Sequence, residues 1–150
     1  MKQKPKAKNA KDRKKQKGQL TLEYLILLAA ILSAFAFIIP QITKFYNAAI
    51  FAMDSKNSEI FAEKIVKEAE KLSVFEQASL ESIKAKPNLK WKLSIKGKKI
   101  SILVESASLE KQKEISKEAK TEIEEFEAEY SKELQLSLKK ENGKITVQNN

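Results

Sequence analysis

The chain has no cysteine and no histidine, and its only three glycines stand at positions 18, 97 and 143. Without the first two residue types there are no disulfides, no thiolate or imidazole metal sites and none of the common nucleophile–base arrangements of hydrolases. Glycines this far apart cannot build a glycine-rich phosphate loop. No Asn-x-Ser/Thr acceptor occurs either, since Asn57 is followed by Ser58 and Glu59. The missing cysteines leave the compartment open, because an extracellular domain with enough core folds without disulfides. These absences remove most of the equipment of an enzyme, so the expectation is a non-catalytic protein with no cofactor and no metal.

Charge is plentiful but uneven. Residues 1–18 hold Lys2, Lys4, Lys6, Lys8, Lys11, Arg13, Lys14, Lys15 and Lys17 against Asp12, a net +8, so the rest of the chain keeps only +1 of the total +9. A uniformly basic domain would suggest binding to phosphates through counterion release. Basicity confined to a segment just before an apolar run instead reads as a cytoplasmic anchor under the positive-inside rule. No nucleic-acid partner is expected.

From Leu20 to Ile39 only Thr21, Glu23 and Ser33 interrupt the apolar run, which as a helix spans about 30 Å, one bilayer core. Pro40 closes it, either kinking the helix or letting it open locally. Three processing outcomes leave three different proteins. A cut after Ala34-Phe35-Ala36 would release a secreted soluble domain, although the apolar run continues past it through Phe37-Ile38-Ile39. No cut would leave a single-pass anchored binding protein, with Glu23 near the interface where its cost is low. A cut after Gly18 would remove only the basic leader and leave the apolar helix at the new N-terminus.

The residues around Gly18 resemble archaeal type IV pilin-like proteins with a class III signal peptide. In that family a peptidase cuts after a glycine on the cytoplasmic side, and a methanogen-type subset continues Gln-x-Ser-x-Glu-x-x-x-Leu. Here Lys17-Gly18 precedes Gln19, Thr21, Glu23 and Leu27 in those places, with Thr21 keeping the hydroxyl of the usual serine. The resemblance covers roughly residues 13 to 40. Archaeal flagellins share the cleavage logic, but their Gly-Ile-rich continuation is absent.

The resemblance implies cleavage between Gly18 and Gln19, recognised through Lys17, Gly18, Gln19, Thr21, Glu23 and Leu27. It implies a prepilin peptidase, an assembly ATPase with its membrane platform, and copies of this chain or related pilins as partners. The precursor would sit in the lipid of the cytoplasmic membrane with its N-terminus inside and C-terminus outside, and the mature chain in an extracellular filament. In the family the acid at the position of Glu23 meets the N-terminal amine of a neighbouring subunit, so the resemblance implies a Glu23–Gln19 contact between subunits. Mutual neutralisation would then favour one axial register.

Past Pro40 the residues Ile42, Phe45, Ala49, Met53, Ile60, Phe61, Ile65, Ala69 and Leu72 follow a helical period. Asp54-Ser55-Lys56-Asn57-Ser58 interrupts this stripe, as an exposed helical turn or a break between two helices. Leu89, Trp91, Leu93 and Ile95 alternate with polar residues, and Lys96-Gly97-Lys98 turns into Ile100-Ser101-Ile102-Leu103-Val104, which predicts a β-hairpin after the breaker Pro87-Asn88. Trp91 is expected in the core rather than against a ligand. Leu109, Ile115, Ala119, Ile123, Phe126, Tyr130 and Leu134 predict a second helix over 108–132, with the acidic run Glu122 to Glu129 on its solvated face. A second hairpin is expected where Leu134-Leu136-Leu138 and Ile145-Val147 flank Asn142-Gly143.

The predicted fold is α+β: a leader (1–18), a membrane or filament-core helix (19–40), and a head (41–150). In the head, a continuation of the helix, a second helix and antiparallel β-hairpins enclose one small core.

Overall fold

A computed structural model describes residues 9–74, 81–141 and 143–149; for residues 9–20 and Glu81 the backbone alone is described. The chain divides into two compact units, Met1–Thr43 and Lys44–Asn150. The fold is α+β and has, among the described residues, one helix, α1 (Asn9–Val74), and five strands, β1 (Glu81–Ala85), β2 (Lys90–Ser106), β3 (Lys111–Tyr130), β4 (Leu134–Glu141) and β5 (Lys144–Asn149).

In the first unit the Leu/Ala-rich run of α1 has high helix propensity. Its buried-prone hydroxyls are satisfied locally: Ser33 Oγ donates to the Ala29 carbonyl at 2.8 Å and Thr43 Oγ1 to that of Ile39 at 3.0 Å. The chain stays helical on both sides of Pro40.

In the second unit α1 contributes Phe61, Ala62, Ile65, Ala69 and Leu72 to the core, a stripe at three- and four-residue steps. The earlier part of the expected stripe differs, because Ile42, Phe45, Ala49, Met53 and Ile60 are exposed. Residues 54–58 form neither a break nor a wholly exposed turn. The helix is continuous there, and Asp54, Ser55 and Ser58 are buried while Lys56 and Asn57 face out. At its C-terminal end, where carbonyls lack helical partners, Lys140 Nζ donates to the Ser73 carbonyl at 3.0 Å.

The sheet is mixed rather than purely antiparallel, in the order β1-β4-β5-β3-β2. The β4–β5 hairpin forms as expected, with Glu141 opposite Lys144 and Gly143 at φ 80°, a conformation that favours glycine; Asn142 lies outside the described residues. β5 then pairs in parallel with β3 through Ile123 and Ile145. β1 adds antiparallel to β4, placing Ile83 opposite Leu136 in the core.

The predicted second helix is instead strand β3, paired antiparallel with β2 from Trp91↔Tyr130 to Ser106↔Lys111. A four-residue spacing fits either period, being close to 3.6 and equal to twice 2. Ile115, Ala119 and Ile123 therefore lie on one face of the strand as readily as on one side of a helix. Register shifts flank Gly97, and the buried parity changes there in both strands. The inward residues are Trp91, Leu93 and Ile95 before the shift in β2 and Ile100, Ile102 and Val104 after it.

The element β2 is continuous over Lys90–Ser106, yet it does not run straight. Lys92 Nζ donates to Glu105 Oε1 at 2.7 Å although the residues are 13 apart, a separation of about 43 Å in an extended strand. β2 therefore bends sharply around Gly97, but the hairpin expected there does not form: no strand pairing joins its two halves among the described residues, and both pair with β3 instead. β3 wraps the outside of this bend: while β2 advances from Ile95 to Lys99, β3 runs from Phe126 to Glu118, twice as many residues. Gly97 has φ 61°, and a Cβ there would meet no atom within 4 Å. Gly97→Ala thus carries the backbone penalty alone, and we expect a loss of about 1–2 kcal/mol, read from thermal unfolding followed by fluorescence of the single tryptophan, Trp91.

Candidate functional site

The sequence-predicted site residues all lie on α1 in the first unit. Lys17, Gly18 and Gln19 are described by their helical backbone; Thr21, Glu23 and Leu27 are exposed. Gln19 and Glu23 are one turn apart and share a helix face. Glu23 makes no hydrogen bond or ion pair among the described residues.

Around Glu23 the helix has no covered side. Leu25, Ile26, Leu27 and Leu28, four consecutive residues pointing in four directions, are 58%, 62%, 57% and 52% exposed. Ile31, Leu32, Phe35, Phe37, Ile38 and Ile39 are exposed as well. Burial of each such side chain is worth about 1.5–3 kcal/mol, so the segment demands an apolar environment on every side. The helix is long and apolar enough to cross a membrane and is compatible with anchoring there.

The second unit contains a feature that the sequence did not disclose. The Asp54 carboxylate, fully buried, accepts hydrogen bonds from Asn88 N (2.8 Å), Asn88 Nδ2 (2.8 Å) and Leu89 N (2.6 Å). It pins the segment leading into β2 onto α1. Three donors on one carboxylate offset its burial, which an unpaired charge would not tolerate. Its only sequence signal is a lone acid within an otherwise apolar stripe.

Further along α1, Lys117 of β3 joins Glu59 (3.2 Å) and Glu63 (2.9 Å), and Lys56 adds a contact to Glu59 at 2.8 Å. Hydrogen bonds from Lys56 and then Lys117 hold Glu59 below the usual carboxylate range, and Lys117 does the same for Glu63. Glu63 and then Glu59 raise Lys117. The stability contributed by the acids is therefore present above about pH 4.3 and lost as pH falls through their folded values, while that of Lys117 is present below about pH 10.4 and lost as pH rises through its own. Glu63→Gln should flatten the acid limb of a plot of melting temperature against pH; a parallel downward shift at all pH values would contradict this assignment.

Trp91 lies in the core as expected, 1% exposed, with its ring centroid 6.1 Å from that of Phe61. Trp91 Nε1 and Tyr130 Oη, on residues paired across β2 and β3, are buried without partners, and burial raises the Tyr130 pKa. The acidic run is solvated, but on a strand. Glu127 pairs with Lys96 at 3.1 Å and accepts from Ser94, which together hold it below the usual range, and Glu129 pairs with Lys90. Lys92, Ser94, Lys96, Glu127 and Glu129 border a depression of about 670 Å³ at the bend of β2, much of whose charge is internally paired.

No model of a protein family, no curated protein and no solved structure matches the chain. Its organisation, a long apolar N-terminal helix followed by a small β-sheet head, fits a pilin-like fold.

Proposed function

We propose that this chain is the structural subunit of an archaeal type IV pilus-like surface filament, cut by a prepilin peptidase after Gly18 and assembled through the helix beginning at Gln19. The observation that carries this reading is a helix exposed and apolar on all sides, interrupted near its start by one carboxylate a turn beyond Gln19. Lipid satisfies the apolar side chains before assembly, and neighbouring helices satisfy them afterwards. The carboxylate gains from leaving lipid only where it meets an opposite charge, and cleavage after Gly18 creates one on Gln19. Assembly would draw on an ATPase and a membrane platform, and on further copies or related pilins. The head then serves as the outer surface of the filament and has no catalytic role.

The test is the location of the protein in its native host. Peptides from residues 44–150 should be enriched in fibres sheared from the cell surface. Recovery from membranes alone would overturn the filament reading and leave a single-pass anchored protein.

A further inference from the structure

Two clusters of like-charged side chains lie around depressions in the head surface. Lys64 of α1 and Lys84 and Lys86 at the end of β1 surround a cavity of about 160 Å³ bordered by Ile60, Phe61 and Trp91. None of the three lysines has an ion-pair or hydrogen-bond partner among the described residues. Trp91 carries a buried N–H donor that also lacks an acceptor. Elsewhere, Glu122, Glu124 and Glu125 of β3 crowd beside Gly97 around an open depression that Lys144 also borders, and none of the three has a partner among the described residues.

We propose that the cavity beside Trp91 is a docking site for a carboxylate of a second copy of this chain, supplied by Glu122, Glu124 or Glu125. The cavity is of the size of a carboxyl group and its immediate stem, and three ammonium groups with an indole donor nearby form a setting for an anion. Within one copy each cluster repels itself; between copies the two attract, which fixes register and disfavours other pairings. The contact joins two different patches, so it is heterologous, and a repeated heterologous contact builds an open helical array. The choice of a second copy as occupant rests on the filament reading, together with this charge complementarity.

Treating the protein in native membranes and in sheared surface material with a zero-length carbodiimide tests the proposal, because this reagent joins only amines and carboxylates already in contact. A band at twice the mass of the monomer in the same sample should appear. Its bridging peptides should link Lys64, Lys84 or Lys86 to Glu122, Glu124 or Glu125. Lys84→Glu with Lys86→Glu should cut this dimer at least five-fold, and adding Glu124→Lys with Glu125→Lys to the same chain should restore it. Unchanged Trp91 emission establishes that the variants fold.

Dimers bridged only elsewhere, or cross-links only to other proteins or to lipid, overturn the proposal. If the chain is in fibres and the bridge is missing, the docking site falls and the filament reading stands. If the bridge forms in membranes and no fibres contain the chain, the docking site stands and the filament reading falls.

Discussion

Asp54→Ala should lower the stability of the head by about 2–4 kcal/mol, the largest loss expected from any single side chain outside the apolar core. The substitution removes the acceptor for Asn88 N, Asn88 Nδ2 and Leu89 N. Hydrogen bonds to a charged group contribute roughly 1.5–3 kcal/mol each, and a buried donor left unpaired costs about 1–3 kcal/mol. The sum is not additive, because Asn88 is exposed and its amide can turn to water. Asp54→Asn keeps one carbonyl oxygen but sets an NH₂ group against a donor, so an intermediate loss is expected. Thermal unfolding followed by Trp91 fluorescence checks both, and a change below about 0.5 kcal/mol for the alanine variant would remove the clamp from the account.

Glu23→Leu should lower incorporation into surface fibres at least ten-fold while leaving the amount of protein in the membrane unchanged or higher. A carboxylate at the centre of a bilayer costs about 2.5–3.5 kcal/mol on insertion scales, and less near the interface, so leucine makes residence in lipid more favourable. In the proposed filament the same change would leave the Gln19 amine of a neighbour without its counter-charge. Breaking a buried pair by removing one partner costs about 3–5 kcal/mol, and each 1.4 kcal/mol is a factor of ten. The two effects act in the same direction on the distribution between lipid and fibre. The ratio of sheared to membrane-bound protein measures it, with Leu32→Ala as a control that alters size and leaves charge alone; normal incorporation of Glu23→Leu would end the role assigned to this carboxylate.

The elements that were legible in the sequence are those governed by local chemistry. The run from Leu20 to Ile39, broken only by Thr21, Glu23 and Ser33, specifies a helix with no continuous polar face, and Asn142-Gly143 between alternating strands specifies the β4–β5 hairpin. Gly97 marks a bend in β2, because few other residues adopt its φ, but the hairpin expected around it gives way to pairing of both halves of β2 with β3. The misreading of β3 has a definable cause. Lys117 and Thr121 fall between Ile115, Ala119 and Ile123 and hide the alternation, and the many Lys and Glu residues favour a helix intrinsically. Pairing with β2 overrides that preference, a tertiary effect that no local window contains. Asp54 was illegible for the same reason: its partners lie 34 and 35 residues away, and only the fold brings them together.

The most direct test of the filament account is the mature N-terminus, determined by mass spectrometry of protein from membranes and from sheared surface material of the native host. The account predicts a chain beginning at Gln19 in the fibres. A chain beginning at Met1 or at Phe37 would contradict it, because neither places a free amine one helical turn before Glu23.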